Sequence, residues 1–236
     1  MQESLCKNCE NALSPEVKFC PNCGQVAQTH RLDMHHIVHD LIHVIIHADK
    51  GFLYLTRELA LQPGIVVKEY VAGKRKKYFN PFSYLVLTIA VSAFLTSYFH
   101  LLENDLQHQN PISAIITKNI NVIFFVSVPV MAFFTRLLFY RNSYNYAEHL
   151  SLQAYMGGFR VFFFILIFTP LVIFFRQYYF SALSVYLVLW VAFLCWSYIQ
   201  FFGGNLWLTG LKTILTVVLT QFTLTTLIII AVRLLH

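Results

Sequence analysis

The sequence predicts an all-α polytopic membrane protein, with about five transmembrane helices preceded by interfacial amphipathic helices and a small N-terminal zinc ribbon. Three observations carry this expectation. Of 236 residues, 57% are hydrophobic and only 12% are charged, a balance outside the range of soluble domains. Apolar runs long enough to cross a hydrocarbon core of about 30 Å, which takes roughly 20 helical residues, recur along the C-terminal part of the chain. Two Cys-x2-Cys pairs, Cys6/Cys9 and Cys20/Cys23, stand at the head, separated by ten residues. The chain accordingly divides into a zinc ribbon (1–29), interfacial helices with a basic juxtamembrane motif (30–81) and a transmembrane bundle (82–236).

Thiolates two residues apart reach one ion, and two such pairs close a tetrahedral shell around Zn2+ with no open position for substrate. The expected cofactor is therefore a structural Zn2+ on Cys6, Cys9, Cys20 and Cys23. Pro21 and Gly24 supply a fixed φ and a permissive backbone around the second pair. The interval between pairs is shorter than the roughly 15–20 residues common in such sites. Two disulfides are the alternative, and the orientation derived below argues against them. No apolar h-region opens the chain, so the N-terminus is expected to be retained.

Residues 30–81 are neither soluble-like nor spanning. Met34, Ile37, Val38, Leu41 and Ile45 repeat at helical spacing, with His35, His36, His39, His43 and His47 opposite. With Asp33 and Asp40 these histidines offer a second metal site, since His at i and i+4 can share an ion. An amphipathic helix with a solvated His face is the competing reading. A second helical stretch, Phe52–Ala60, ends at Leu61-Gln62-Pro63-Gly64, after which Val66, Val67, Tyr70 and Val71 resume an apolar face. The run Lys74, Arg75, Lys76, Lys77 then precedes the first span. It reads as positive-inside anchoring or as contact with an anionic lipid headgroup.

Spans are expected near Ser83–Leu102, Ile120–Tyr140, His149–Phe175, Ala182–Phe202 and Leu211–Leu234. Residues 1–81 hold ten Lys/Arg and eight Asp/Glu, whereas 82–236 hold seven and three. After alternating crossings, Arg136, Arg141 and Lys212 fall on the side of the basic run, and Lys118, Arg176 and Arg233 on the other. The N-terminus is thus expected in the cytoplasm and the C-terminus outside. Cytoplasmic thiols stay reduced, which favours metal over disulfides. Cys195, inside the fourth span, reads as an apolar packing residue.

The ordered set of two Cys-x2-Cys pairs, Phe19-Cys20-Pro21-Asn22-Cys23-Gly24-Gln25, a His-rich helix, Thr56-Arg57-Glu58-Leu59, Pro63-Gly64, Glu69-Tyr70, Gly73-Lys74-Arg75 and Tyr78 with Pro81 resembles a family. It is similar to the bacterial zinc-ribbon-headed membrane proteins classed as domain of unknown function 3667. The resemblance covers the first third of the chain, and the remainder follows a similar pattern of spans. It implies a bacterial inner-membrane protein and supplies architecture without an activity. In that family a Glu-His pair opens a later span, matched here by Glu148-His149, whereas Gln153 and Gly157 stand where further His is expected.

Polar groups within spans are costly and become functional suspects. His149, Gln153, Met156 and Arg160 share one helical face, with Glu148 beside it. They suggest an intramembrane polar site, a proton relay or an anion held by Arg160, against the alternative that Arg160 snorkels outward. Thr209, Thr213, Thr216, Thr220 and Thr223 form a small seam suited to close helix packing. Pro129 and Pro170 are candidate kinks. The sequence carries no G-x-S-x-G elbow, no HExxH, no phosphate-cradling loop and no paired acids within spans, so catalysis would rest on Glu148, His149 or Arg160 alone.

These readings converge on a non-enzymatic membrane scaffold or regulatory protein whose cytoplasmic zinc ribbon docks partners. A transporter or lipid-handling protein using the polar face of the third span is the alternative. Expected partners are the lipid bilayer and other proteins through the ribbon; oligomerisation is left open. Nucleic acid is disfavoured, because the basic residues hug the membrane and the ribbon is nearly balanced in charge.

Overall fold

The computed structural model describes residues 4–34, 51–98 and 119–235. The predicted His-faced helix, with His35, His36, His39, Asp40, His43 and His47, lies outside the described residues. In the head, strands β1 (Ser4–Leu5) and β2 (Ala12–Leu13) pair antiparallel, and a bridge joins Phe19 to Val26. Each pairing closes a cysteine knuckle of one geometry. The amides of Glu10 and Gly24 donate to the carbonyls of Cys6 and Cys20, each at 2.8 Å. The amides of Cys6 and Cys20 reach Asn11 and Gln25 in the same way. The residue after the second cysteine must then be left-handed: Gly24 has φ 71° and Glu10 has φ 60°.

Seven helices of the described chain build the rest, together with one short helical continuation. Helix α1 (Gly51–Leu61) is broken from α2 (Pro63–Ala72) at Gln62, because Pro63 at the first position of α2 has no amide to continue the ladder. Gly73, at φ 115°, caps α2. Leu55 and Leu59 of α1, and Val66, Val67 and Tyr70 of α2, turn into the core. Contact with the bundle is close at Gly64, whose amide donates to Gln200 Oε1 at 2.9 Å. A Cβ there would lie 2.2 Å from the Ser197 carbonyl oxygen.

Helix α3 (Pro81–Tyr98) starts where Asn80 Oδ1 accepts the Phe82 and Ser83 amides. Helix α4 (Ile120–Leu138) carries Pro129 within it. Helix α5 (Tyr146–Phe163) begins with a capping box in which Asn145 and Glu148 satisfy each other's amides. This box starts the helix three residues before the expected His149. A π-helical segment, Phe164–Phe168, follows and passes into α6 (Thr169–Phe174). The wider register immediately precedes Pro170, where a missing amide cannot bond one turn back. Helix α7 (Tyr179–Phe202) turns at Gly203-Gly204, both at positive φ, into α8 (Leu206–Leu235). Helix α8 starts ahead of the expected Leu211 because Asn205 Oδ1 accepts the Trp207 amide.

Among the described residues, five helices are long and apolar enough to cross a membrane: Pro81–Tyr98, Ile120–Leu138, Tyr146–Phe174, Tyr179–Phe202 and Leu206–Arg233. Helix α5 is the hub, packed against α2, α3, α4 and α7. Gly157 lies against Leu85 and Val128, and Gly158 against Tyr84, so small residues admit both flanking helices. The threonine seam of α8 packs inward at Thr209, Thr213, Thr216 and Thr220. Its Thr213 and Thr216 hydroxyls bond back to Thr209 and Lys212 carbonyls of the same helix. At one end of the bundle Phe139 stacks on Phe202 at 4.1 Å and Tyr144 on Phe201 at 4.4 Å. The cysteine head sits at that end.

Candidate functional site

The four cysteine sulfurs of Cys6, Cys9, Cys20 and Cys23 lie within 4.8 Å of one another. Cys6 and Cys23 Sγ are 3.6 Å apart, and Cys9 and Cys20 Sγ 3.5 Å. A disulfide needs about 2.05 Å. A tetrahedral shell with metal–sulfur bonds of about 2.3 Å has edges of about 3.8 Å, so the donor set fits a metal ion. Burial pushes the Cys20 thiol up to about 11, while the Gln25 amide draws Cys23 down to about 6. Cys6 and Cys20 are buried, and Leu13 packs beside them. The fifth cysteine, Cys195, is a free thiol in α7 and no part of this set.

A second layer of contacts clamps the head to the bundle. Gln25, 5% exposed, donates to the Gly73 carbonyl at 2.9 Å and accepts the Lys76 amide at 3.2 Å. Asn145 donates to the Leu32 carbonyl, while within the head Lys7 donates to the Thr29 carbonyl. Arg31 closes the clamp, with Nε and Nη2 each 2.7 Å from the two carboxylate oxygens of Glu148. Its Nη2 also donates to the Ser143 carbonyl. The Glu148 side chain is only 4% exposed, against 57% for Arg31. The pair raises Arg31 above its ordinary value, chiefly through the hydrogen bond to Glu148. Glu148 thus caps α5 and receives the head through one carboxylate.

The basic run is divided by geometry. Glu69 of α2 accepts Lys74 at 2.9 Å, Lys77 at 2.7 Å and the Tyr78 hydroxyl at 2.6 Å. Burial alone would raise the Glu69 carboxyl, but the bonds from Lys77, Tyr78 and Lys74 outweigh it and bring it to about 2. Burial, with the bond to Glu69, pushes Tyr78 up to about 12. Arg75 Nη2 donates to the His30 carbonyl at 2.6 Å. Lys76 is exposed and takes no part in the ion pairs to Glu69.

The polar face predicted within the third span is split among separate surroundings. Glu148 serves Arg31. His149 is fully buried against Phe202 and Tyr144, and neither ring nitrogen has a partner among the described residues. Gln153 pairs with the Tyr198 hydroxyl at 2.7 Å, with Thr135 at 3.4 Å. Arg160 donates to the Tyr186 hydroxyl at 3.0 Å and lies over Phe124, its guanidinium carbon 4.7 Å from the ring centre. Gln153 and Arg160 both line a cavity of about 30 Å3, room enough for water.

Sequence reading did not assign Gln25, Arg31, Glu69 or Asn145 to the site. Gln25 and Glu69 stand in the ordered motif set, and Asn145-x-x-Glu148 is a legible capping box. Nothing local marks Arg31, whose partner lies 117 residues away. No curated protein and no solved structure matches the chain. The family described as "Protein of unknown function (DUF3667)" matches residues 49–93, which take in α1, α2, the basic loop and most of α3, and this match supports the family resemblance.

Proposed function

We propose that the chain is a non-enzymatic scaffold or regulatory protein of the bacterial inner membrane, with a structural zinc ribbon on the cytoplasmic side that docks partner proteins. The observation that carries this reading is the clamp of Arg31 on Glu148, which makes the head a fixed platform on the bundle instead of a tethered bead. Four thiolates at tetrahedral spacing favour zinc, whose closed shell leaves no position for substrate. Lys/Arg side chains gather at the end bearing the head, including Arg136, Arg141 and Lys212, which supports a cytoplasmic head. Leu5 of β1 is 64% exposed and offers an apolar face for a partner. Affinity capture from membranes, with intact protein and with Cys20→Ser/Cys23→Ser, tests the docking role. Loss of specific partners with the double variant is expected; an unchanged partner set rejects it.

A second reading, transport or lipid handling, draws on one observation. Arg160 lies in the middle of the 29-residue span Tyr146–Phe174, and no carboxylate among the described residues pairs with it. Reconstitution of wild type and Arg160→Ala tests it. Absence of both headgroup binding and flux in the wild type ends that reading.

A further inference from the structure

We propose that the groove between the head and the basic loop binds the phosphate group of an anionic membrane lipid. This site keeps Arg75 and Lys76 of the four-cation run, exchanges Lys74 and Lys77 for Lys18 of the head, and does not depend on any protein partner.

The groove is an open cavity of about 770 Å3, formed where the second cysteine knuckle faces residues 75 and 76. Phe19 and Val26, joined across their bridge, give it an apolar lip, 60% and 51% exposed. Lys18, His30, Arg75 and Lys76 stand around that lip, opposed by the single carboxylate of Glu16. Three fixed cations against one anion leave a positive cleft with an apolar edge, complementary to an amphiphile that carries a phosphate.

The structure also separates the cations available to a ligand from those already engaged. Lys74 and Lys77 are bound to Glu69. Lys18 and Lys76 are exposed, and neither forms an ion pair among the described residues. Arg75 uses Nη2 on the His30 carbonyl, which orients its guanidinium beside the groove, while its buried Nε has no partner. A planar fork fixed at one corner is suited to a phosphate oxygen.

Position selects the source of that phosphate. Lys76 precedes Pro81, the first residue of a candidate span, by five residues. Five residues reach at most about 18 Å, and the Glu69 network shortens the path. That tether keeps the groove on the headgroup side of the span, next to the polar layer that borders the hydrocarbon core. Exposed Phe19 suits the boundary where aromatic side chains collect. An acidic peptide has the charge but no comparable tether to this depth.

The test uses the purified full chain in detergent, in the metal state in which it is isolated, titrated by native mass spectrometry. The probes are dioctanoyl phosphatidylglycerol, dioctanoyl phosphatidylcholine, inorganic phosphate and hexaglutamate. Saturable binding of the phosphatidylglycerol is expected, at least tenfold tighter than the phosphatidylcholine. Lys18→Gln/Lys76→Gln should weaken it at least tenfold, and Lys18→Arg/Lys76→Arg should retain it. Both lysines are exposed, so metal content and unfolding temperature should not change and will confirm the fold. Equal binding by the glutamine variant, or of the two lipids, overturns the proposal. Inorganic phosphate or hexaglutamate binding as tightly as the anionic lipid overturns the lipid source.

Discussion

Arg31 and Glu148, 117 residues apart, meet through two hydrogen bonds of 2.7 Å each. One oxygen of the same carboxylate, Oε2, also accepts the Asn145 amide at 2.7 Å. A single buried acid therefore both starts the central helix and holds the cysteine head, so the first turn of α5 and the position of the head are coupled.

Arg31→Gln should lower stability by about 2 kcal/mol. The buried carboxylate loses its countercharge, but Arg31 is 57% exposed, which keeps the cost below the roughly 3–5 kcal/mol of fully buried pairs. Glu148→Gln should cost more, since it also weakens the cap. In a double-mutant cycle followed by thermal unfolding in detergent, the two effects should be clearly less than additive. Full additivity would show that the pair is not coupled in solution.

Acid should loosen the basic loop. The Glu69 carboxyl is depressed from 4.5 to about 2, so its stabilising contribution is complete above the unfolded value and is lost as pH falls from 4.5 towards 2. The side chain is 25% exposed, and the contribution is of the order of 2 kcal/mol. Unfolding measured across pH 2–6 should show this loss in the wild type and a flatter profile in Glu69→Gln. Identical profiles would exclude Glu69 as the source.

The two knuckles share one left-handed backbone position but fill it with different residues. Glu10 holds the left-handed conformation that Gly24 holds in the other. Glu10→Gly should stabilise the metal-bound head by about 1 kcal/mol, and Gly24→Ala should destabilise it by a similar amount. Competition with a chelator reads both as shifts in metal retention, in opposite directions.

Gly64→Ala should be among the most damaging small substitutions. The added Cβ would stand 2.2 Å from the Ser197 carbonyl oxygen, which is backbone and cannot swing aside. Separating α2 from α7 should cost about 2–3 kcal/mol and lose the bond from the Gly64 amide to Gln200. Thermal unfolding checks it, with Gly51→Ala, which meets nothing within 4 Å, as the control.

The helical spans were legible because a bilayer demands length and apolarity, two properties written locally in the chain. The convergence of the cysteines was legible for a similar reason, since Cys-x2-Cys spacing is itself a ligand unit. Partnership across the fold was not. Nothing in the pattern around Arg31 distinguishes it from Lys18, yet one closes the clamp and the other faces a groove. Lys74 and Lys77 look like Lys76 in the sequence, yet only the first two reach Glu69. The face shared by His149, Gln153 and Arg160 follows from helical spacing, but α5 is surrounded by other helices, and each residue met a different neighbour. Helix starts shifted because caps at Asn145 and Asn205 extend helices beyond their apolar runs.

The cysteine head is clamped to the helical bundle through Gln25 and Arg31, and we propose that a metal ion on its four thiolates holds it in that position. Hydrogen–deuterium exchange over residues 73–76 and 143–148, with bound metal and after chelation, tests it most directly. The amides of this clamp should be protected with metal and exchange markedly faster once it is removed. Equal exchange in both states would contradict the claim.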